Sequence, residues 1–356
     1  MSDFSAYQGT RPVAEAQRFD IAALERYMRE HVEGFRGSLE VEQFKGGQSN
    51  PTFRLRAGGK GYVMRRKPAG KLLPSAHAVD REYRVITALA GTDVPVARTH
   101  ALCTDESVIG AMFYIMDCVE GRVLWDPQLP GMLAGERRAI FEEMNRVIAA
   151  LHRVDYPSIG LGDYGRPGNY FGRQIERWSK QYKASETGKI EAMDQLIEWL
   201  PKNIPEGDRT TIVHGDYRLD NMVFHPTEPR VIAVLDWELS TLGHPMADFS
   251  YHAMSWRLST AEFRGLRGCD LAALGIPAED EYLEMYLART GMPAPNVKDW
   301  GFCMAYNMFR AAAIFQGVMA RAVAGNAASA QAVETGRRAQ PMAELGWKQV
   351  EQLLGR

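Results

Sequence analysis

Between residues 38 and 118 the chain is built from short runs with the texture of β-strands: SLEVEQF, PTFRLRA, GYVMRRK, ARTHALC and MFYIMDC. Alternation of apolar and polar positions fits strands with one buried face. The first three runs are joined by KGGQSN and GGKG, whose glycines allow positive φ and close backbone approach, so they predict an antiparallel meander. One helix interrupts the strands. In SAHAVDREYRVITALAG, residues Ala78, Tyr83, Ile86 and Leu89 recur at helical spacing, with Ser75 placed to cap the start and Gly91 to end it.

After Gly121 the texture changes. ERRAIFEEMNRVIAALHRVD carries Ile140, Met144, Val147, Ile148 and Leu151 on one helical face. Further helices are expected at about 171–185, 188–200, 279–291, 297–324 and 330–354, with Pro201, Pro205, Pro293 and Pro295 as breaks. Among them stand two short strand-like pieces, TIV and RVIAVL, and NMVF is placed to pair with the second. VEGR at 119–122 joins a strand-rich half to a helix-rich half, and no internal repeat is visible. The fold class is therefore α+β.

Composition narrows the function classes. At 46% hydrophobic and 24% charged, 356 residues suffice for one large domain or two lobes. A net charge of -2 supplies no general field for nucleic acid or an anionic membrane, so neither is an expected partner and any anion site must be local. Four scattered cysteines without a CxxC pair suit reduced thiols in a cytoplasmic protein. The start lacks the basic and apolar segments of an export signal, and the most apolar helix is interrupted by Arg310, Gln316 and Arg321.

The densest chemistry is HGDYRLDN at 214–221, followed fifteen residues after Asn221 by Asp236 of LDWE. A strand, a polar loop and a hairpin would bring Asp216, Asn221 and Asp236 toward one point. Mg²⁺ takes oxygen ligands and is commonly held by one or two protein groups plus substrate phosphates. Asn221 and Asp236 can supply such ligands, leaving Asp216 to accept a proton from an attacking hydroxyl.

HGDYRLDN with LDWE resembles the catalytic segment of the aminoglycoside phosphotransferase family, small-molecule kinases with a protein-kinase-like fold. The resemblance implies a bilobal protein: an N-terminal extension and helix at 1–37, a small antiparallel-sheet N-lobe with one main helix at 38–118, a hinge at 119–122, and a large, mostly helical C-lobe at 123–356 carrying the catalytic loop and acceptor site. It implies ATP and Mg²⁺ as cofactors, Asp216 as catalytic base, and Asn221 and Asp236 as metal ligands. Asp216 and Asn221 keep the spacing found in protein kinases, while Gly215 stands where those have arginine. Arg65 of GYVMRRK takes the place of the usual phosphate-pairing lysine, with Arg66 and Lys67 as alternatives, and Glu82 is placed to pair with it. Gly47 and Ser49 of KGGQSN resemble a phosphate-covering loop loosely. FYIMDCVEG resembles the segment that meets adenine, with the Asp117 carbonyl and Val119 amide on its edge and Met116 behind it.

HGDYRLDN, LDWELSTLGHPMADFSYH and NMFRAAAIFQGVMARAVAGNA together resemble the subgroup found as the N-terminal kinase-like domain of acyl-CoA dehydrogenase family proteins. No dehydrogenase domain is expected within these residues; the resemblance to that subgroup implies a functional link to an acyl-CoA dehydrogenase and a hydroxyacyl-CoA-like or other anionic acceptor. Asn307, Arg310, Ile314, Gly317 and Arg321 share one helical face, with the two guanidinium groups on the order of 16 Å apart. With Arg218 they are the candidate acceptor residues, and such cations disfavour polycationic aminoglycosides. His214 and Asp248 read as holders of the loop. The expected activity is ATP-dependent phosphorylation of a small hydroxylated acceptor. The alternatives are a catalytically reduced nucleotide-binding scaffold or sensor, an aminoglycoside or sugar kinase in the strict sense, and, most remotely, a metal hydrolase.

Overall fold

Alternation between residues 40 and 66 resolves into the expected meander. In the computed structural model, which describes residues 8–45, 50–68, 78–260, 262–325 and 331–355, strands β1 (Thr10–Arg11), β2 (Glu40–Phe44), β3 (Thr52–Ala57), β4 (Lys60–Arg66), β5 (Thr99–Cys103) and β6 (Phe113–Asp117) form one sheet. Its order is β1-β2-β3-β4-β6-β5, and all neighbours are antiparallel. β3 and β4 are joined through Gly58 and Gly59, both at positive φ (56° and 79°), as a two-residue hairpin turn requires. One sheet face, with Phe53, Leu55, Tyr62, Met64, Phe113 and Ile115, packs on Leu24 and Met28 of helix α1 (Ile21–His31). Helix α2 (Val79–Leu89) buries Val79, Glu82, Val85, Ile86 and Leu89. The expected N-cap, Ser75, lies outside the described residues.

Two compact units emerge from the pattern of internal contacts, and they interleave along the chain. The first comprises Met1–Trp125, Pro157–Leu161 and Asp220–Ser240. Besides the sheet and α2 it holds the hairpin β8 (Met222–Phe224) and β9 (Val231–Val234), so NMVF does pair with the strand that follows it.

The second unit comprises Asp126–Tyr156, Gly162–Leu219 and Thr241–Arg356. It holds a short ladder of β7 (Thr211–Val213) with β10 (Thr241–Gly243), together with α3 (Ala134–Arg153), α4 (Tyr170–Ala184), α5 (Glu191–Trp199), α6 (Pro245–Ala253), α7 (Leu271–Leu274), α8 (Glu279–Thr290), α9 (Val297–Val323), α10 (Ala332–Gly336) and α11 (Ala339–Leu353). α4, α6, α10 and α11 all pack on α9, which buries an unbroken run from Gly301 to Ala313. Two differences from the periodicity stand out. The single helix expected at 330–354 is two, and Gly336, the last residue of α10, lies so close to α9 that a Cβ there would stand 2.6 Å from Cβ of Met319. α6 was not expected, because all nine of its residues are buried and it carries no polar stripe to betray its period. Among the described residues, no helix is long and apolar enough to cross a membrane.

Candidate active site

β4 and β6 set Arg65 opposite Tyr114 in register, so both side chains leave the same face of the sheet, one residue out of step with the α1-facing core. Arg65 reaches Glu82 of α2 through Nε at 3.1 Å. Its Nη2 lies 3.1 Å from Asp236 Oδ1 and 3.8 Å from Glu238 Oε2. Arg66, on the opposite face, donates to Gln17 and lies over the rings of Phe19 and Phe53, so the guanidinium that meets Glu82 is that of Arg65. Glu82 is 1% exposed and receives two further donors, Asn50 Nδ2 at 2.8 Å and the Tyr114 hydroxyl at 3.1 Å. Burial pushes its carboxyl above the usual carboxylate range, against the pull of Arg65. Burial would lower the Arg65 guanidinium, but Glu82 and its other neighbours more than offset this and hold it charged.

Arg65 lines a cavity of about 800 Å³ together with Met116, Asp117, Val119, Asn221 and Asp236. That volume is ample for a nucleotide-sized ligand. The β8–β9 hairpin explains how Asn221 and Asp236 come together: one precedes β8, the other follows β9, and the Leu235 amide donates to the Asn221 carbonyl at 2.8 Å. Asp236 adopts a left-handed conformation (φ 64°), which a non-glycine residue rarely holds without reason. The next residue, Trp237, is buried and donates its indole N–H to the Val234 carbonyl. His100 Nε2 and the Asp117 carboxylate are 2.7 Å apart. Carboxylate and amide oxygens on one wall suit a hard divalent cation, and three carboxylates around a single guanidinium leave negative charge for such an ion to neutralise. Among the described residues, no group of three His, Cys, Asp or Glu could hold a metal ion.

In the second unit, HGDY is held by a buried carboxylate. Asp248 of α6 accepts the His214 amide at 2.7 Å and the Gly215 amide at 2.8 Å, with His152 Nε2 at 3.2 Å. Burial alone would raise the Asp248 carboxyl, but these partners, His152 foremost, hold it below the usual range. Gly215 takes φ 84°, and the Asp216 amide donates to His214 Nδ1 at 3.1 Å, which is the loop-holding arrangement expected of His214 and Asp248. The Tyr251 hydroxyl donates to Asp216 Oδ1 at 2.6 Å, and Arg218 Nε lies 3.1 Å from the same oxygen. Burial, and then the Asp216 charge, push the Tyr251 phenol up, so it stays a donor.

The candidate acceptor residues part company. Arg310 is 5% exposed, donates to the Gly215 carbonyl and sits over Trp178 and Tyr251, so its guanidinium is engaged in the loop. Arg321, three turns on, is exposed. Arg218 instead lies 5.9 Å from the Phe263 ring, which Arg264 (5.9 Å) and Arg338 (6.0 Å) also approach. Gly47 and Ser49 lie outside the described residues. Asn50, Tyr114 and Tyr251 were not singled out from the sequence. Asn50 directly follows KGGQSN's flagged serine, whereas Tyr114 is hidden in an apolar run and Tyr251 in a helix, α6, that the sequence pattern does not reveal.

Residues 40–306 match the model of the phosphotransferase enzyme family. "Acyl-CoA dehydrogenase family member 10" of Mus musculus is 46% identical over 341 residues, 95% of this chain but 32% of that protein. The chain thus spans about a third of the length of this relative. A Ralstonia eutropha protein provisionally described as an aminoglycoside phosphotransferase has a crystal structure with TM-score 0.87 and 64% identity, covering 94% of this chain and 99% of that one. Aminoglycoside phosphotransferase APH(4)-Ia, solved with ADP and hygromycin B, shares the fold at TM-score 0.58 and 15% identity, covering 92% of this chain and 98% of that one.

Proposed function

The chain belongs to the phosphotransferase enzyme family, and we propose that within it this protein moves the γ-phosphate of ATP to a hydroxyl of a small anionic acceptor. The observation that carries this reading is the Arg65–Glu82 ion pair on the wall of the cavity that also presents Asn221 and Asp236. Arg65 would hold phosphate oxygens, its charge kept by Glu82. Met116, Asp117 and Val119 would border the adenine. Magnesium, held by Asn221 and Asp236, would neutralise charge on the phosphates. Asp216 orients the acceptor hydroxyl and takes its proton as the new O–P bond forms and the bond from the γ-phosphorus to the bridging oxygen breaks, releasing ADP.

Arg218, Arg264 and Arg338 around Phe263 support an anionic acceptor, since Arg218 touches both this ring and Asp216. The name of the mouse relative makes a hydroxyacyl-CoA-like compound the first candidate and a functional link to an acyl-CoA dehydrogenase the natural context. Four free cysteines fit a cytoplasmic setting. Acceptor-dependent ADP release should be measured for wild type and Asp216→Asn with hydroxyacyl-CoA compounds, sugars, choline and aminoglycosides side by side. We expect a loss of at least about 100-fold in the variant, with the anionic acceptors preferred; undiminished turnover would remove Asp216 as the base.

The direct contact of Arg65 with Asp236 favours a second reading, a nucleotide-binding scaffold whose metal ligand is occupied by its own arginine. Nucleotide binding without acceptor-dependent ADP release would select it.

A further inference from the structure

We infer that Asn50 and Tyr114 are positioning residues for nucleotide binding: they hold the Glu82 carboxylate so that Arg65 stays ion-paired with it while Nη2 can exchange from Asp236 to a phosphate. This rests on the phosphotransferase reading above and goes beyond it, because both residues act through Glu82, to which they donate.

Geometry and charge together carry the argument. Arg65 is bordered by three carboxylates, Glu82, Asp236 and Glu238, with only one guanidinium to share. Of these, Glu82 is the most deeply buried, at 1% exposure of its side chain against 35% for Asp236 and 25% for Glu238. A buried carboxylate with a half-shared counter-ion favours protonation. The groups that face Glu82 come from four places: Arg65 on β4, Tyr114 on β6, Asn50 ahead of β3, and Asp236 after β9. Asp236 disfavours the ionised form by its like charge, while Arg65, Tyr114 and Asn50 favour it.

Both neutral donors are themselves buried, Asn50 at 0% and Tyr114 at 1%, and their bonds divide cleanly between the two oxygens of Glu82. Donors to the charged form of a carboxylate stabilise that form without adding competing charge. If Glu82 were protonated, its hold on Nε would weaken, and Arg65 would be drawn toward Asp236 and Glu238. The contact that Arg65 already makes with Asp236 would then tighten, withholding Asp236 from a metal and Arg65 from a phosphate. Two neutral donors therefore keep open an exchange that Arg65 must make when nucleotide arrives.

The test is titration calorimetry of the full chain with AMP-PNP and magnesium from neutral pH down to the lowest pH at which the fold holds, for wild type, Tyr114→Phe and Asn50→Ala, each checked for native circular dichroism. Tyr114→Phe removes one oxygen and keeps the ring, and Asn50→Ser is the milder partner should Asn50→Ala not fold. In both variants the midpoint at which affinity is lost on acidification should move up, with about tenfold weaker binding than wild type below it. Adding Glu82→Gln removes the titrating group and should make the profile flat and uniformly weak. A variant profile that is unshifted, or lowered by the same factor at every pH, overturns the inference, as does a shift that survives Glu82→Gln. A wild-type chain that binds no nucleotide at any pH overturns the phosphotransferase reading itself, and this inference with it.

Discussion

Asp248 shows how much one buried residue can decide. Its two oxygens take the His214 and Gly215 amides, and without them the turn before Asp216 would carry unsatisfied donors. Asp248→Asn offers one oxygen and a competing donor, and should cost about 3 kcal/mol in urea unfolding at neutral pH. The folded carboxyl lies below its unfolded value, so its contribution is whole above the unfolded pKa of about 4 and is lost as pH falls through the folded one. The difference between wild type and variant should therefore shrink in acid; a constant gap from neutral pH to acid would show that Asp248 acts through packing alone. Tyr251→Phe probes the neighbouring oxygen of Asp216. Loss of this donor should lower kcat by about tenfold with nucleotide KM unchanged, and equal changes in both would point to a misfolded loop.

Register and tight approach govern the elements. Arg65 and Arg66 are consecutive and chemically identical, yet β4 sends one to Glu82 and the other to Gln17, since alternate residues of a strand leave opposite faces. Gly121 matters for a similar reason. The Arg122 amide donates to the Phe224 carbonyl and the Phe224 amide to the Arg122 carbonyl, each at 2.8 Å, and a side chain at 121 would press on Phe224 and Val223 of β8. Gly121→Ala should shift the strand that follows Asn221, costing about 1–3 kcal/mol and weakening AMP-PNP binding; calorimetry and urea unfolding of the one variant report both. Normal stability with normal affinity would mean β8 yields without consequence. Gly336 at the end of α10 is under the same constraint, since a Cβ there would press on Met319 of α9.

For the molecule as a whole, the sharpest prediction concerns linkage. Magnesium with AMP-PNP at about 100 times its Kd should stabilise the fold by about 2.7 kcal/mol, read as a rise in Tm, and the magnesium-dependent part should vanish in Asp236→Ala and Asn221→Ala. A rise of unchanged size in both variants would remove them as metal ligands. Much of the architecture could be read from the chain before any coordinates. Period-two runs joined by glycine turns specify an antiparallel meander, and HGDYRLDN with LDWE specifies the hairpin that brings Asn221 to Asp236, because spacing and turn chemistry are local properties. Burial and company are not local. That Arg310 is drawn into the loop while Arg321 remains exposed, that Arg65 rather than Arg66 meets Glu82, and that Asn50, Tyr114 and Tyr251 complete the polar contacts depended on which faces pack together. Sequence alone determined which residue types were available and in what order; tertiary structure decided their partners, since a hydrogen bond or an ion pair is set by distance in space and by the exclusion of water around it.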